Sequence, residues 1–195
     1  MKKTLMMLIM GLVALTAGAQ NTLHETGSFT VQPKIGIGAG HVSGEWTGGG
    51  EAKGKTGFLF GVEGEYYLTS KFSAALGVNY AEQGWIFEYS GGAEDKYKLN
   101  YVNVPLIANY YVSEGLALKA GVQLGFLTSA KLNSKDIKDD TKSTAISIPI
   151  GISYEIQNIV VDARYNIGAS KVNKTGSKDQ RSDLFLVTVG YKFSL

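Results

Sequence analysis

The fold is decided by one alternating stretch, Ile146-Ser147-Ile148-Pro149-Ile150-Gly151-Ile152-Ser153-Tyr154-Glu155. Bulky apolar residues occupy every second position, and small or polar residues occupy the positions between them. A period of two is the pattern of a β-strand, because successive side chains point to opposite faces of the sheet. This strand therefore has one continuously apolar face and one small or polar face.

The same alternation recurs along the chain without any sustained helical period. Seven further segments show it, with apolar faces over residues 35–39, 58–66, 76–80, 102–110, 118–126, 161–167 and 185–193. Counted together with the first stretch, they predict an all-β chain of eight antiparallel strands. Eight strands suit a single up-and-down barrel.

The charged residues indicate which face lines the interior. The predicted polar face carries full charges on several strands, and they are Glu63, Glu65, Lys119, Asp162, Arg164 and Lys192. A lipocalin-like barrel turns its apolar face inward, so charges on the narrow, glycine-rich face favour the opposite arrangement. We predict a transmembrane barrel with polar residues in the lumen and apolar residues facing lipid. A soluble sandwich, which also buries one apolar face, is the alternative.

The connections between the strands alternate between short and long. Short polar links lie at 69–71, 112–115 and 157–158, and long charged ones at 42–56, 88–98, 130–143 and 170–182. Three short turns and four long extracellular loops are what an eight-stranded barrel with both termini in the periplasm requires.

Aromatic residues gather near the strand ends, where interfacial girdles are expected. The predicted girdle beside the short turns comprises Tyr66, Tyr67, Phe72, Tyr110, Tyr111, Tyr154 and Phe193. The predicted girdle beside the long loops comprises Phe58, Trp85, Phe87, Tyr101, Phe126 and Phe185.

The N-terminal segment is typical of an export signal. Lys2 and Lys3 precede an apolar stretch, and Ala17-Gly18-Ala19 fits the small-x-small cleavage rule. We predict a cleaved signal peptide over 1–19, a periplasmic segment over 20–32 and the barrel over 33–195. The predicted localisation is the cell outer membrane.

Composition narrows the function classes. The chain has no cysteine, which excludes disulfides and thiolate metal sites. Its net charge of +2 resides in the two lysines of the predicted signal, so the rest is formally neutral and gives no argument for nucleic acid. Neither a cofactor nor a metal is expected.

The C-terminal residues resemble the signal that outer-membrane assembly machinery reads. Thr188 supplies its polar position and Gly190 its glycine, while Phe193 and Leu195 supply its hydrophobic positions. An amphipathic strand of this kind can pair with an open sheet edge. The expected partners are therefore outer-membrane lipid and the assembly machinery.

The chain resembles the small outer-membrane β-barrel (PorT-like) proteins of Bacteroidota, within the wider OmpA-type group. Four segments carry the resemblance: 99–106 with its Tyr-x-x-x-Pro-Leu motif, 121–127, 162–168 with Asp-x-Arg-Tyr-x-x-Gly, and 189–193. The resemblance implies the barrel fold and its location. It implies little about activity, because one fold hosts many roles.

The charges predicted to face the lumen are the main candidate site. We expect Lys192 to join Asp162 and Arg164, and we expect Lys34, Lys119 or Arg164 to neutralise Glu63 and Glu65, because an unpaired buried charge is costly. A salt-bridged plug is the favoured interpretation and an ion path the alternative.

Other candidate chemistry is weak, and the chain is predicted not to be an enzyme. His41, Ser43 and Glu45 offer the groups of a triad near the first loop, and His24 precedes the barrel. Asp136, Asp139 and Asp140 lack calcium-loop spacing, and Gly48-Gly49-Gly50 lacks the context of a phosphate loop. The expected function is membrane integrity with surface loops for binding or adhesion. The alternatives are a small pore and an accessory role in secretion.

Overall fold

The computed structural model describes residues 25–43, 50–89, 91–133, 135–138, 142–170 and 181–195. Within them lie β1 (Phe29–Ser43), β2 (Gly50–Tyr67), β3 (Phe72–Tyr89), β4 (Glu94–Tyr111), β5 (Leu116–Leu132), β6 (Lys135–Asp136), β7 (Thr144–Ile156), β8 (Ile159–Gly168), β9 (Arg181–Tyr191) and β10 (Phe193–Ser194). In these ranges no helix is long and apolar enough to cross a membrane.

The sheet closes on itself as a ring of eight strands. β6 only extends the edge of β5 as a small hairpin, and β10 continues β9 after Lys192. Every neighbouring pair is antiparallel, in the order β1-β2-β3-β4-β5-β7-β8-β9. Ile35 on β1 pairs with Phe60 on β2 and with Val189 on β9, so the first and last strands seal the ring. The predicted eight-stranded up-and-down barrel is confirmed.

The two faces of the wall have the polarity of a membrane barrel. Apolar side chains cover the outside: Ile35 is 69% exposed and Phe58 is 70% exposed. Charged side chains fill the inside: Glu63 is 2% exposed and Asp162 is 1% exposed. A soluble barrel or sandwich would bury the apolar set, so both alternatives are excluded.

The short turns and both described ends of the chain lie at one end of the barrel. The Gly27 amide donates to the Tyr67 carbonyl beside the β2–β3 turn, and the Leu195 amide donates to the Phe29 carbonyl. This common end is the periplasmic end of the predicted topology, so the opposite end is extracellular.

The barrel begins four residues earlier than predicted. β1 starts at Phe29, whereas the sequence placed the boundary at Pro33. Thr30 and Gln32 point into the lumen and are buried, so the inward–outward alternation already runs ahead of the proline. The predicted signal peptide over 1–19 lies outside the described residues, and the predicted segment over 20–32 is described only from Glu25.

Two of the predicted long loops are largely strand. β3 continues to Tyr89 and β4 begins at Glu94, so the predicted loop over 88–98 reduces to a connection over 90–93. Stacking of Trp85 on Tyr97, with ring centroids 4.8 Å apart, holds the two strands together there. β2 likewise begins at Gly50, inside the predicted loop over 42–56. The charged residues of these segments indicate loops, whereas the structure continues the strands beyond the apolar residues that face outward.

Part of the predicted aromatic girdle faces the lumen. Tyr66 and Tyr67 are successive residues on one strand, so only one of them can face lipid, and the structure places Tyr66 outside and Tyr67 inside. The predicted girdle residues that are buried are Tyr67, Trp85, Phe87, Tyr101, Tyr111 and Tyr154. The exposed ones are Phe58, Tyr66, Phe72, Tyr110, Phe126, Phe185 and Phe193. Tyr154 is buried on the outer face, because its cross-strand partners Leu116 and Val161 belong to that face. For the other five buried residues the girdle prediction was wrong, because position near a strand end does not decide the face.

Candidate functional site

The lumen is built in layers that β5 crosses in order. From the periplasmic end, its buried inward side chains are those of Ala117, Lys119, Gln123, Leu127 and Ala130, and Gly121 and Gly125 lie on the same face. Along this strand the lumen contains first a layer of tyrosines, then a layer of charges, then a layer of amides and finally an apolar cluster. The strand alternation thus sets which residues enter the lumen, and the position along the strand sets the layer.

The charged layer is a central ion-pair cluster of five side chains, Lys34, Glu63, Lys119, Asp162 and Arg164. Glu63 accepts from Lys34 Nζ and, at 3.0 Å, from Arg164 Nη2. Asp162 accepts from Lys119 Nζ at 2.7 Å and contacts Arg164 Nε at 2.9 Å. Lys119 Nζ also lies 3.7 Å from Glu63 Oε1. The cluster joins β1, β2, β5 and β8 across the lumen.

A second group, the periplasmic polar cluster, surrounds Glu65 and Lys192. Glu65 Oε1 accepts from Ser73 Oγ, from Asn109 Nδ2 at 2.7 Å and from Tyr111 OH at 2.7 Å. Lys192 Nζ lies 3.0 Å from Glu65 Oε2.

Lys192 links this cluster to β7. Its Nζ donates to Glu155 Oε2 at 2.7 Å and to Tyr67 OH at 2.8 Å. Its amide donates to the Asn158 carbonyl at 2.7 Å, which fixes the end of β9 beside the β7–β8 turn. With Ser73 on β3 and Asn109 on β4, the two clusters together take side chains from seven strands of the ring and from Lys192, which directly follows β9.

The charges of the two clusters balance. The cations are Lys34, Lys119, Arg164 and Lys192, and the anions are Glu63, Glu65, Glu155 and Asp162. Each of these side chains is buried and each touches an opposite charge. A buried charge is stable only when it is paired and hydrogen-bonded, and removal of one partner typically costs about 3–5 kcal/mol. The arrangement therefore ties the strands together.

The structure places all six predicted lumen charges inside the barrel, with one different partnership. Lys192 contacts Glu65 and Glu155, so the prediction that it joins Asp162 and Arg164 was wrong. The register explains this, because Asp162 pairs with Thr188, four residues before Lys192. Sequence reasoning also missed Glu155 as a partner, although it lies on the polar face of the stretch that decides the fold.

Hydroxyl and amide groups in these clusters carried no strong signal in the sequence. Tyr67 and Tyr111 were assigned to the girdle, and Asn109 and Ser73 were left without a role. Only the strand pairing brings Asn109 and Ser73 side by side, facing Glu65.

Above the central ion-pair cluster lies a small cavity lined mostly by uncharged polar groups, with Lys142 also among its lining residues. Its walls include Tyr101, Asn103, Gln123, Ser147 and Asn166, and its volume of about 30 Å³ suits one or two water molecules. Gln123 Nε2 lies 3.3 Å from Ser147 Oγ. Both polar atoms of the Asn166 amide are buried without a hydrogen-bond partner among the described residues. Hydration of this cavity would satisfy that amide.

The extracellular part of the lumen is filled by apolar side chains and by close backbone. Trp85, Leu99 and Leu127 pack in one buried cluster. β1 and β3 approach each other across the lumen: a Cβ atom on Gly40 would lie 2.8 Å from the Gly84 carbonyl oxygen. Only glycine permits this contact.

The remaining candidates do not assemble into a site among the described residues. Asp136 pairs with Lys131 in a small hairpin and accepts from the Lys138 amide at 2.9 Å. Gly50 begins β2, which is not the context of a phosphate loop. No group of three or more metal-binding side chains occurs in the described ranges. The following lie outside the described residues or have undescribed side chains: His24, His41, Ser43, Glu45, Gly48, Gly49, Asp139 and Asp140.

The C-terminal segment forms the closing seam of the barrel. Thr188 is buried toward the lumen, whereas Phe193 and Leu195 are exposed. Gly190 faces inward against β1, where a Cβ atom would overlap the Gln32 side chain and lie 2.9 Å from the Pro33 carbonyl oxygen.

This closed, inside-out barrel has relatives in a known family. A family model described as an outer membrane protein beta-barrel domain matches residues 19–173. The chain belongs to this family. It is an outer-membrane protein whose apolar outer face lies in lipid, and β9 and β10 lie beyond the matched range. None of the curated proteins matches the chain.

Solved structures share the fold at low sequence identity. The attachment invasion locus protein Ail of Yersinia pestis is 19% identical with a TM-score of 0.53, covering 86% of this chain and 99% of its own. Neisserial surface protein A is 21% identical with a TM-score of 0.53, covering 85% and 97%. OprG of Pseudomonas aeruginosa is 14% identical with a TM-score of 0.53, covering 87% and 97%. At such identities the likeness extends to the fold alone.

Proposed function

We propose that this barrel is a non-enzymatic component of the outer membrane that supports membrane integrity. The observation that carries the proposal is the lumen, which charge-balanced clusters fill on one side of the small cavity and apolar side chains fill on the other. A filled lumen is inconsistent with steady passage of solutes and consistent with a rigid wall element. The six charges that the sequence singled out would act as a structural plug.

The extracellular end would supply a binding or adhesion surface. β3 and β4 run past the apolar belt to Tyr89 and Glu94, so a stiff hairpin stands above the membrane. The similar barrel from Y. pestis is named an attachment invasion locus protein, and this name supports the proposal of a surface role.

A small pore is the second candidate, and the polar cavity around Asn166 favours it. Water in that cavity would form the middle part of a path, between the apolar cluster on the extracellular side and the central ion-pair cluster on the periplasmic side. The accessory role in secretion rests only on the resemblance to PorT-like proteins of Bacteroidota, and we keep that subfamily as a proposal. The C-terminal residues Thr188, Gly190, Phe193 and Leu195 are likewise proposed to be the assembly signal.

Deletion of the gene tests the integrity role. We expect the deletion strain to leak periplasmic enzyme and to become sensitive to detergent, and we expect the wild-type gene to reverse both effects. Leakage and detergent sensitivity equal to those of the wild-type strain would contradict the proposal. Expression in a porin-deficient strain is the companion measurement, because restored uptake of small solutes would favour the pore instead.

A further inference from the structure

Three lysines lie near one another at the extracellular end of the barrel. Lys98 on β4 pairs directly with Lys131 on β5. Their neighbours Leu99 and Ala130 are buried in the lumen, so both lysines point outward, and both are exposed. Lys55 on β2 extends toward Lys98 across Gly84, with its Cδ atom 3.5 Å from the place where a Cβ of Gly84 would lie. We call Lys55, Lys98 and Lys131 the lysine row.

The row is unfavourable for the isolated barrel. Like charges directly opposite each other on neighbouring strands are destabilising. Partial burial, and after it the positive charge of Lys98, lowers the pKa of Lys55. Glu82 is the acidic group that attracts Lys55. No described carboxylate lies within the ion-pair distance of 4.0 Å from any lysine of the row.

The nearby lysines show that pairing is available at this end of the barrel. Lys53 forms an ion pair with Glu88, and Lys96 lies 3.3 Å from Glu94. Lys98 and Lys131 have no such ion pair among the described residues, although Asp136 on β6 lies opposite Lys131.

The height of the row matches a lipid headgroup layer. On the outer face of β4 the apolar belt ends at Val102, and Asn100 and then Lys98 follow. Four residues of strand span about 13 Å, which is about 10 Å in height once the tilt of barrel strands is included. Lys98 and Lys131 therefore lie just beyond the hydrocarbon, on the face that lipid covers.

We propose that the lysine row binds the phosphate groups of an anionic lipid in the outer leaflet. Three ammonium groups on β2, β4 and β5, with Gly84 of β3 between the first two, match a headgroup that carries more than one phosphate. The bound phosphates would neutralise a repulsion that Glu82 near Lys55 and Asp136 opposite Lys131 offset only in part, because neither carboxylate forms an ion pair with the row. Basic clusters at the membrane surface attract anionic lipid by about fivefold in affinity for each lysine.

Native mass spectrometry of the full-length chain in maltoside micelles tests the proposal, with diphosphorylated lipid A as the probe. We expect the wild-type protein to retain lipid A and the K98Q/K131Q double variant to bind it roughly tenfold or more weakly. The matched control is K53Q/K96Q, which removes the same charge from paired lysines at the same end of the barrel. Equal loss in both variants would overturn the proposal, since it would indicate general electrostatic attraction.

Thermal unfolding, followed by gel mobility, supplies a second readout that does not depend on detecting bound lipid. Without lipid A, K98Q/K131Q should unfold at a higher temperature than the wild type, because the like-charge pair is gone. With lipid A the order should reverse. The same order of unfolding temperatures in both conditions would contradict the proposal. Full displacement of lipid A by inorganic phosphate at an equal phosphate concentration would also contradict it, because it would indicate a site for free anions.

Discussion

At the scale of single residues, the lumen of this barrel depends on groups that are satisfied only together. Glu63 faces three cations and Glu65 faces four donors, so neither carboxylate carries an uncompensated charge. The cost of dehydrating these groups is offset by their mutual contacts. Loss of one of these side chains should therefore lower the free energy of unfolding by more than a surface ion pair contributes to it.

Replacement of Glu63 by Gln tests this dependence. It leaves Lys34, Lys119 and Arg164 around a neutral amide, and we expect it to lower the free energy of unfolding by about 3 kcal/mol. Urea unfolding in liposomes measures the change. Glu94→Gln, which breaks an exposed pair at the extracellular rim, is the control and should cost less than about 1 kcal/mol. Equal costs for the two variants would indicate a hydrated lumen in which the pairs contribute little.

Neighbouring tyrosines on β4 provide a second test. Tyr111 donates to Glu65 in the lumen, whereas Tyr110 faces lipid. We expect Tyr111→Phe to destabilise the barrel by about 1.5–3 kcal/mol, the usual range for a hydrogen bond to a charged group. Tyr110→Phe should leave the free energy of unfolding nearly unchanged in the same urea titration. A larger effect at Tyr110 would show that the inward and outward faces have been exchanged.

At the scale of strands, the alternation predicts the faces well and the ends of the strands poorly. Ile146, Ile148, Ile150 and Ile152 all face outward. The period of two predicts this, because the pleat of a strand alone fixes which face each side chain takes. The ends of β3 and β4 are determined by packing of Trp85 on Tyr97 and by cross-strand pairs, which no local pattern reveals. Burial of Tyr67 agrees with the alternation, because the apolar face over 58–66 ends at Tyr66 and leaves Tyr67 on the lumen face.

The seam between β1 and β9 should limit closure of the ring. Gly190→Val would place side-chain atoms against Gln32 and the Pro33 carbonyl, and that carbonyl cannot move without disturbing β1. We expect refolding into micelles to slow and the folded fraction on unboiled gels to fall. Gly91→Ala serves as the control, because no atom lies within 4 Å of the added Cβ. Wild-type folding of Gly190→Val would mean that the seam forms without close contact at this position.

At the scale of the whole molecule, the sequence predicted the closed ring, its polar lumen and its outer-membrane location, because charges on the narrow face allow only one orientation in lipid. It did not predict which charged side chains pair within the lumen. Lys192 contacts Glu155 rather than Asp162 because of the register between β8 and β9, and a register is a property of the assembled sheet. The division of the lumen into layers likewise emerges only when all eight strands are aligned.

The central claim is that side chains of the barrel block its own lumen. Planar-bilayer recording of the refolded full-length protein tests this claim most directly. We predict a silent membrane, with no reproducible conductance step at any protein density that inserts folded barrels, as judged by heat-modifiable gel mobility. Steady, reproducible conductance from the wild-type protein would contradict the account, because it would mean that ions pass the central ion-pair cluster.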